Sequence, residues 1–129
     1  MASISIKITG ETENDPITEI NCGTSSPKLA GDINISLFPF LTGFTCENND
    51  IANISNISSN PNLQQFKVGG NKLTTINSSS GLSSNLQLQY FDCSNNKLTG
   101  NIFDLSLQTN LTYFNCSGNK FTGFTSGNQ

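Results

Sequence analysis

The sequence contains no histidine, no arginine and no tryptophan. Without histidine, Ser–His and Cys–His nucleophile pairs cannot be assembled. Without arginine there is no guanidinium to grip phosphates or guanine, so nucleic-acid binding is not expected. Charge is scarce as well: 12% of residues are charged and the net charge is −3, too mild to dictate a partner. Apolar residues make up only 34%, few for a three-dimensional core, and the low charge argues against ordinary charged disorder. No stretch approaches the length of a membrane-spanning helix, so no membrane insertion is expected. A secretory leader is also not visible. Residues 1–10 alternate Ile4, Ile6 and Ile8 with Ser5, Lys7 and Thr9, which is strand periodicity and not a continuous apolar run.

What the chain has instead is Asn, Ser, Thr and Gly, the residues of repeated turns. Self-similarity follows at once. Four segments align without gaps over 14 positions: LTGFTCENNDIANI from Leu41, LQQFKVGGNKLTTI from Leu63, LQYFDCSNNKLTGN from Leu88 and LTYFNCSGNKFTGF from Leu111. Their starts lie 22, 25 and 23 residues apart. A further apolar column, Ile35, Ile57, Leu82 and Leu105, precedes each start by 6 residues. In the third segment the last apolar residue, Ile102, falls one place late. An earlier stretch from Ile17 keeps Ile20 and Cys22 in register and then loses the Asn, which reads as a degenerate first rung. The division expected is therefore an N-terminal strand and capping rung over residues 1–34, then four rungs over 35–129.

The pattern L-x-x-F-x-[C/V]-x-x-N-x-[L/I/F] resembles the leucine-rich repeat family over about residues 35–124, with Phe and Cys at the second and third apolar positions. The resemblance implies a repeat solenoid: a short leucine-rich-repeat-like stack with a parallel β-sheet on the concave face. Turns or 3-10 segments are expected on the convex face, with little or no α-helix. Its connectors, such as NISSNPN and NSSSGLSSN, are poor helix formers. One rung cannot bury its own apolar face, whereas stacked rungs can. Phe44, Phe66, Phe91 and Phe114 are expected to point inward, as are Cys22, Cys46, Val68, Cys93 and Cys116. Column neighbours point the same way, which disfavours disulfides, and C-x-x-C metal spacing is absent; reduced, buried filler is the reading. Asn49, Asn71, Asn96 and Asn119 are expected to form an internal ladder, because an amide both donates to and accepts from turn backbone.

No cofactor and no catalytic set is expected. No phosphate-loop or dinucleotide motif occurs, and Glu47 and Asp92, two rungs apart, make a poor carboxylate pair. Six N-x-S/T matches are what so Asn- and Ser-rich a chain produces by chance.

Function is therefore sought on surfaces. The concave candidate is Gln65, Lys67, Gln89, Tyr90, Asp92, Thr112, Tyr113 and Asn115, with the two tyrosines sharing one column in adjacent repeats. Such a pair can anchor a protein or stack on a sugar, or can simply stabilise the sheet. Lys72, Lys97 and Lys120 form a candidate basic edge, or a solvated one. The last rung, with Leu111, Phe114 and Phe124, and the Ile4–Ile6–Ile8 strand are candidate assembly elements.

The wording YFDCSNNKLTGNI and YFNCSGNKFTGF is similar to repeats in predicted virion proteins of marine and cyanobacterial tailed bacteriophages. That similarity implies a small non-catalytic virion accessory protein, a capsid decoration or tail-surface component, assembled in the cytoplasm. The alternative is a stand-alone bacterial leucine-rich-repeat recognition domain that binds a glycan or a protein. The partners expected are a protein, a second copy of the chain, or a cell-surface glycan.

Overall fold

The computed structural model describes residues 16–23, 27–76, 82–102 and 104–124, with Phe124 described by its backbone alone. Ile4, Ile6 and Ile8 lie outside the described residues, as does the Phe124 side chain.

The strands follow the repeat. β1 (Glu19–Asn21), β3 (Gly43–Thr45), β5 (Gln65–Lys67), β6 (Tyr90–Asp92) and β8 (Tyr113–Asn115) form one parallel 5-stranded sheet in that order. The register keeps every repeat column aligned: Ile20, Phe44, Phe66, Phe91 and Phe114 are successive partners. The degenerate stretch around Ile20 thus contributes a full strand, because its two inward residues suffice to set the pleat. Phe rings pack tilted on one another, with centroids 5.9, 5.6 and 5.3 Å apart along the column.

The Asn ladder forms as expected and its wiring repeats. Each amide oxygen accepts an N–H from the preceding rung: Leu29 to Asn49, Ile51 to Asn71, Leu73 to Asn96 and Leu98 to Asn119, all at 3.0 Å. Each amide nitrogen donates back to that same preceding rung, as Asn71 does to the Cys46 carbonyl at 2.9 Å. The turn before each Asn needs a left-handed residue, and the column supplies Asn48, Gly70, Asn95 and Gly118 in alternation. The alternation is steric: a Cβ on Gly70 would strike Asn48 Oδ1, and one on Gly118 would strike Asn95 Oδ1.

The other side of the stack holds more than turns. Short 3-10 segments occur at Ile35–Leu37 and Ile57–Ser59, the first capped by Asn34, whose Oδ1 accepts the Ser36 N–H. In addition, β2 (Ala30–Asn34) pairs with β4 (Asp50–Ser55), and β7 (Thr99–Ile102) with β9 (Lys120–Phe124), as two further parallel ribbons. A register shift between Gly100 and Asn101 brings Ile102 opposite Phe124, absorbing its late position in the repeat. Among the described residues there is no α-helix.

A second amide ladder was not expected. Asn60 donates to the carbonyls of Ile35 and Phe38, Asn85 to those of Ile57 and Asn60, and Gln108 to those of Leu82 and Asn85. It closes the convex turns one rung at a time, as the first ladder closes the turns after the sheet.

Burial corrects one expectation. Cys22, Cys46, Val68 and Cys93 are buried, but Cys116 is only half-buried. Its rung-mates Leu111, Phe114 and Phe121 are half-buried too, although the matching residues of earlier rungs are essentially inaccessible. The cause is position: β8 is an edge strand, with no further rung beyond it among the described residues.

A candidate recognition surface on the concave sheet

The two tyrosines stand on partnered positions of β6 and β8, and their rings stack 4.2 Å apart with 9° between the planes. Lys67, from β5, lays its ammonium 4.6 Å from the centroid of the Tyr90 ring. Tyr90 is thus held between a cation and a second ring, a geometry in which the ring's negative face attracts the ammonium. Desolvation pushes the Tyr90 phenol above its ordinary pKa, helped by the adjacent Tyr113 hydroxyl and by the charges of Tyr113, Asp92 and Glu47. Tyr113 remains 39% exposed. Asn115 Nδ2 donates to its hydroxyl at 3.4 Å.

The neighbouring candidates divide. Asp92 and Asn115 turn their oxygens into the rung: Asp92 Oδ1 accepts from Ser94 N and Oγ, and Asn115 Oδ1 from Ser117 N and Oγ. These are turn-closing bonds, which leave the second oxygen of Asp92 and one N–H of the Asn115 amide for outside contact, the other being directed at the Tyr113 hydroxyl. Thr112 bonds the Gln89 carbonyl through its hydroxyl at 3.1 Å. Gln65, at the position matching Tyr90, and Gln89 flank the ring stack and are half-exposed and exposed.

The basic edge is brought together only in part. Lys72 pairs with Asp50 at 3.5 Å, an exposed bridge that adds little stability. Lys97 and Lys120 are exposed beside it in the stack. Among the described residues, no group of three or more His, Cys, Asp or Glu is placed to hold a metal ion, and no helix is long and apolar enough to cross a membrane.

A surface on the opposite side escaped the sequence reading. Leu37 and Phe40 are 73% and 57% exposed, and with Pro16, Ile17, Phe38 and Pro39 they line an open hollow of about 450 Å³. The run Leu37–Phe40 in an otherwise polar connector was the signal that could have found it.

The stacked parallel rungs, their inward Leu, Phe and Cys columns and the Asn ladder define a leucine-rich-repeat solenoid. Solved structures share the architecture, two among them being as follows. One is the functional domain of InlJ from Listeria monocytogenes, described as including a cysteine ladder: 30% identity, TM-score 0.68, covering 85% of this chain. This chain spans 22% of that structure's chain. The other is the leucine-rich-repeat ectodomain of the receptor kinase SOBIR1 from Arabidopsis thaliana, at 23% identity and TM-score 0.68, covering 90% of this chain and 79% of that one. No protein-family model matches the chain, and no curated protein does. Neither structural neighbour is a bacteriophage protein, so the expectation of a virion component gains no support from these likenesses.

Proposed function

We propose that the chain is a non-catalytic recognition module that engages a protein or glycan partner through its concave sheet. The observation that carries this reading is the Lys67–Tyr90–Tyr113 stack. Three long side chains are already fixed against one another on the open face of a rigid sheet. Their ordering entropy is therefore largely spent before a partner arrives, and the ring edges and hydroxyls present an amphipathic ridge. Gln65, Gln89, Thr112 and Asn115 flank that ridge with amide and hydroxyl groups suited to sugar hydroxyls or peptide groups.

Two settings carry the same surface: a virion accessory protein, as a capsid decoration or tail-surface component, and a stand-alone bacterial recognition domain. The neighbouring genes separate them. The recognition reading itself is tested by screening the chain and its Tyr90→Ala and Tyr113→Ala variants on a glycan array and a displayed-peptide library. The expected result is a saccharide or peptide hit weakened about tenfold or more by either variant, with the fold retained by circular dichroism. Hits indifferent to both variants, or no hit at all beside a loss of thermal stability in both, would make the stack a stabilising pair and end the proposal.

A further inference from the structure

The connectors that close the rungs on the convex side run over 35–40, 57–62, 82–87 and 105–110, and none of them contains a charged residue. Every Lys, Asp and Glu of the chain lies elsewhere in sequence. The second amide ladder ties these connectors rung to rung through Asn60, Asn85 and Gln108, so they form one continuous strip. The strip carries Leu37, Phe40, Leu86 and Leu107, which are 73%, 57%, 47% and 54% exposed. Among the described residues these are four of the five large apolar side chains left exposed, the fifth being Tyr113 of the concave ridge. A single exposed leucine needs no explanation. Apolar side chains gathered on one face stripped of charge have the composition of an interface core.

We infer that this convex strip is the contact surface of a two-fold dimer, its occupant a second copy of the chain. Charge and symmetry choose that occupant. A strip without charge offers nothing for an oppositely charged partner to complement. It also lets copies of a chain of net charge −3 meet without setting like charges together. The symmetry lies in the column Leu37, Ser59, Ser84 and Leu107, which reads the same in both directions along the stack. A two-fold axis between Ser59 and Ser84 sets Leu37 against Leu107 of the partner subunit, and Leu107 against Leu37 of the partner subunit. The exposed serines then lie at the centre. Such a contact is isologous and closes on itself.

Shape agrees with symmetry. Leu37 stands on the rim of the open hollow of about 450 Å³ that Pro16, Ile17 and Phe40 help to line. Leu107 of the partner subunit therefore arrives at an apolar recess, the setting in which a buried anchor contributes most. Leu37 and Leu107 lie three rung spacings apart, about 14 Å at about 4.8 Å each, which is short beside a standard interface. Association in the micromolar range follows. The concave sheets are left free on the outer sides of the dimer, so it presents two Lys67–Tyr90–Tyr113 ridges at once. No ridge residue lies in the strip, so the dimer stands or falls separately from the ridge.

The test uses the full chain with Leu37→Lys, Leu107→Glu and the double variant, all at exposed positions. Sedimentation of the parent should show dimers at about 100 μM that separate on dilution to about 1 μM. Added salt should leave this equilibrium unchanged or tighten it, since no ion pair holds the strip. Each single variant should raise the dissociation constant at least about tenfold, because it buries an unpaired charge, while circular dichroism stays that of the parent. The double variant should recover part of that loss, because the two introduced charges would face each other across the axis, and salt should then weaken it. A parent monomeric throughout would leave the strip to a different protein and overturn the proposal. Association indifferent to both single variants, or growth past the dimer, would overturn it as well. A double variant no better than the singles would overturn the two-fold register.

Discussion

Asn96 Oδ1 accepts the N–H of Leu73, one rung earlier, at 3.0 Å, and the same amide donates to the Val68, Cys93 and Ser94 carbonyls. One side chain thus joins two rungs and closes its own turn. Such an amide does the work that a helical connector would otherwise do with backbone alone, and it explains how a chain with so few apolar residues stacks stably.

Asn96→Ala should therefore leave the buried Leu73 N–H without a partner and strip a donor from three carbonyls. The expected cost is about 1–3 kcal/mol for each buried group left unpaired. Asn119→Ala, in the part-buried last rung, should cost less, because water can replace the amide there. Urea denaturation of the two variants measures the difference. Equal midpoints for parent and Asn96→Ala would remove the ladder as a source of stability.

The left-handed column makes a second, sharper case. Gly70→Ala puts a side chain at φ +69° and drives its Cβ into Asn48 Oδ1. Asn48→Gly removes the obstruction while keeping a residue that tolerates the left-handed conformation. In a double-mutant cycle the pair should be less destabilised than the sum of the singles, with a coupling of about 0.5–3 kcal/mol. Simple additivity would mean that the Asn–Gly alternation is not steric.

The Phe, Cys and Asn columns were legible because identical residues recur at near-constant spacing, and inward alternation then fixes the sheet. The Tyr90–Tyr113 contact was legible for the same reason: both occupy one column in adjacent repeats. The second ladder was not, since its column runs Phe38, Asn60, Asn85, Gln108 and mixes an aromatic with amides in a background already rich in them. The ribbons β2–β4 and β7–β9 were hidden by their register shifts, which break the period-2 signal at Gly31 and Gly100. The cation over Tyr90 depends on the rotamer of Lys67, which no spacing specifies. The half-buried Cys116 was misjudged because a column predicts direction, not what lies beyond its last member.

The tyrosine stack has a pH signature. Desolvation first, then the adjacent Tyr113 hydroxyl and the nearby negative charges, raises the Tyr90 phenol above its ordinary value of about 10. The neutral form is the one favoured by the fold. Its contribution is fully present below the unfolded phenol's pKa and is lost as pH rises through the higher folded value. Titration of phenolate absorbance should thus show a late component, and Tyr113→Phe should bring the remaining midpoint down. A single ordinary transition in the parent would contradict the stacked arrangement.

Thiol chemistry reports on both the interior column and the last described rung. Labelling needs a thiolate and access to it. Cys46 has neither, since the neighbouring Cys22 thiol and then its burial push the thiol far up. Burial, followed by the nearby Cys116 and Asp92, does the same to Cys93. Burial also raises Cys116, but its half-exposed place in the last rung leaves a route for reagent. At mildly alkaline pH, Cys116 should therefore label ahead of Cys46 and Cys93, which react only as fast as the rungs open. Cys116→Ser should remove the Cys116 phase and leave those of Cys46 and Cys93 intact. Cys93→Val should label one residue fewer at little cost in stability, because Val68 already fills that column with no exposed surface. Fast labelling of Cys93 in the Cys116→Ser background would show that the inner column is open, and the stacked packing described here would be wrong.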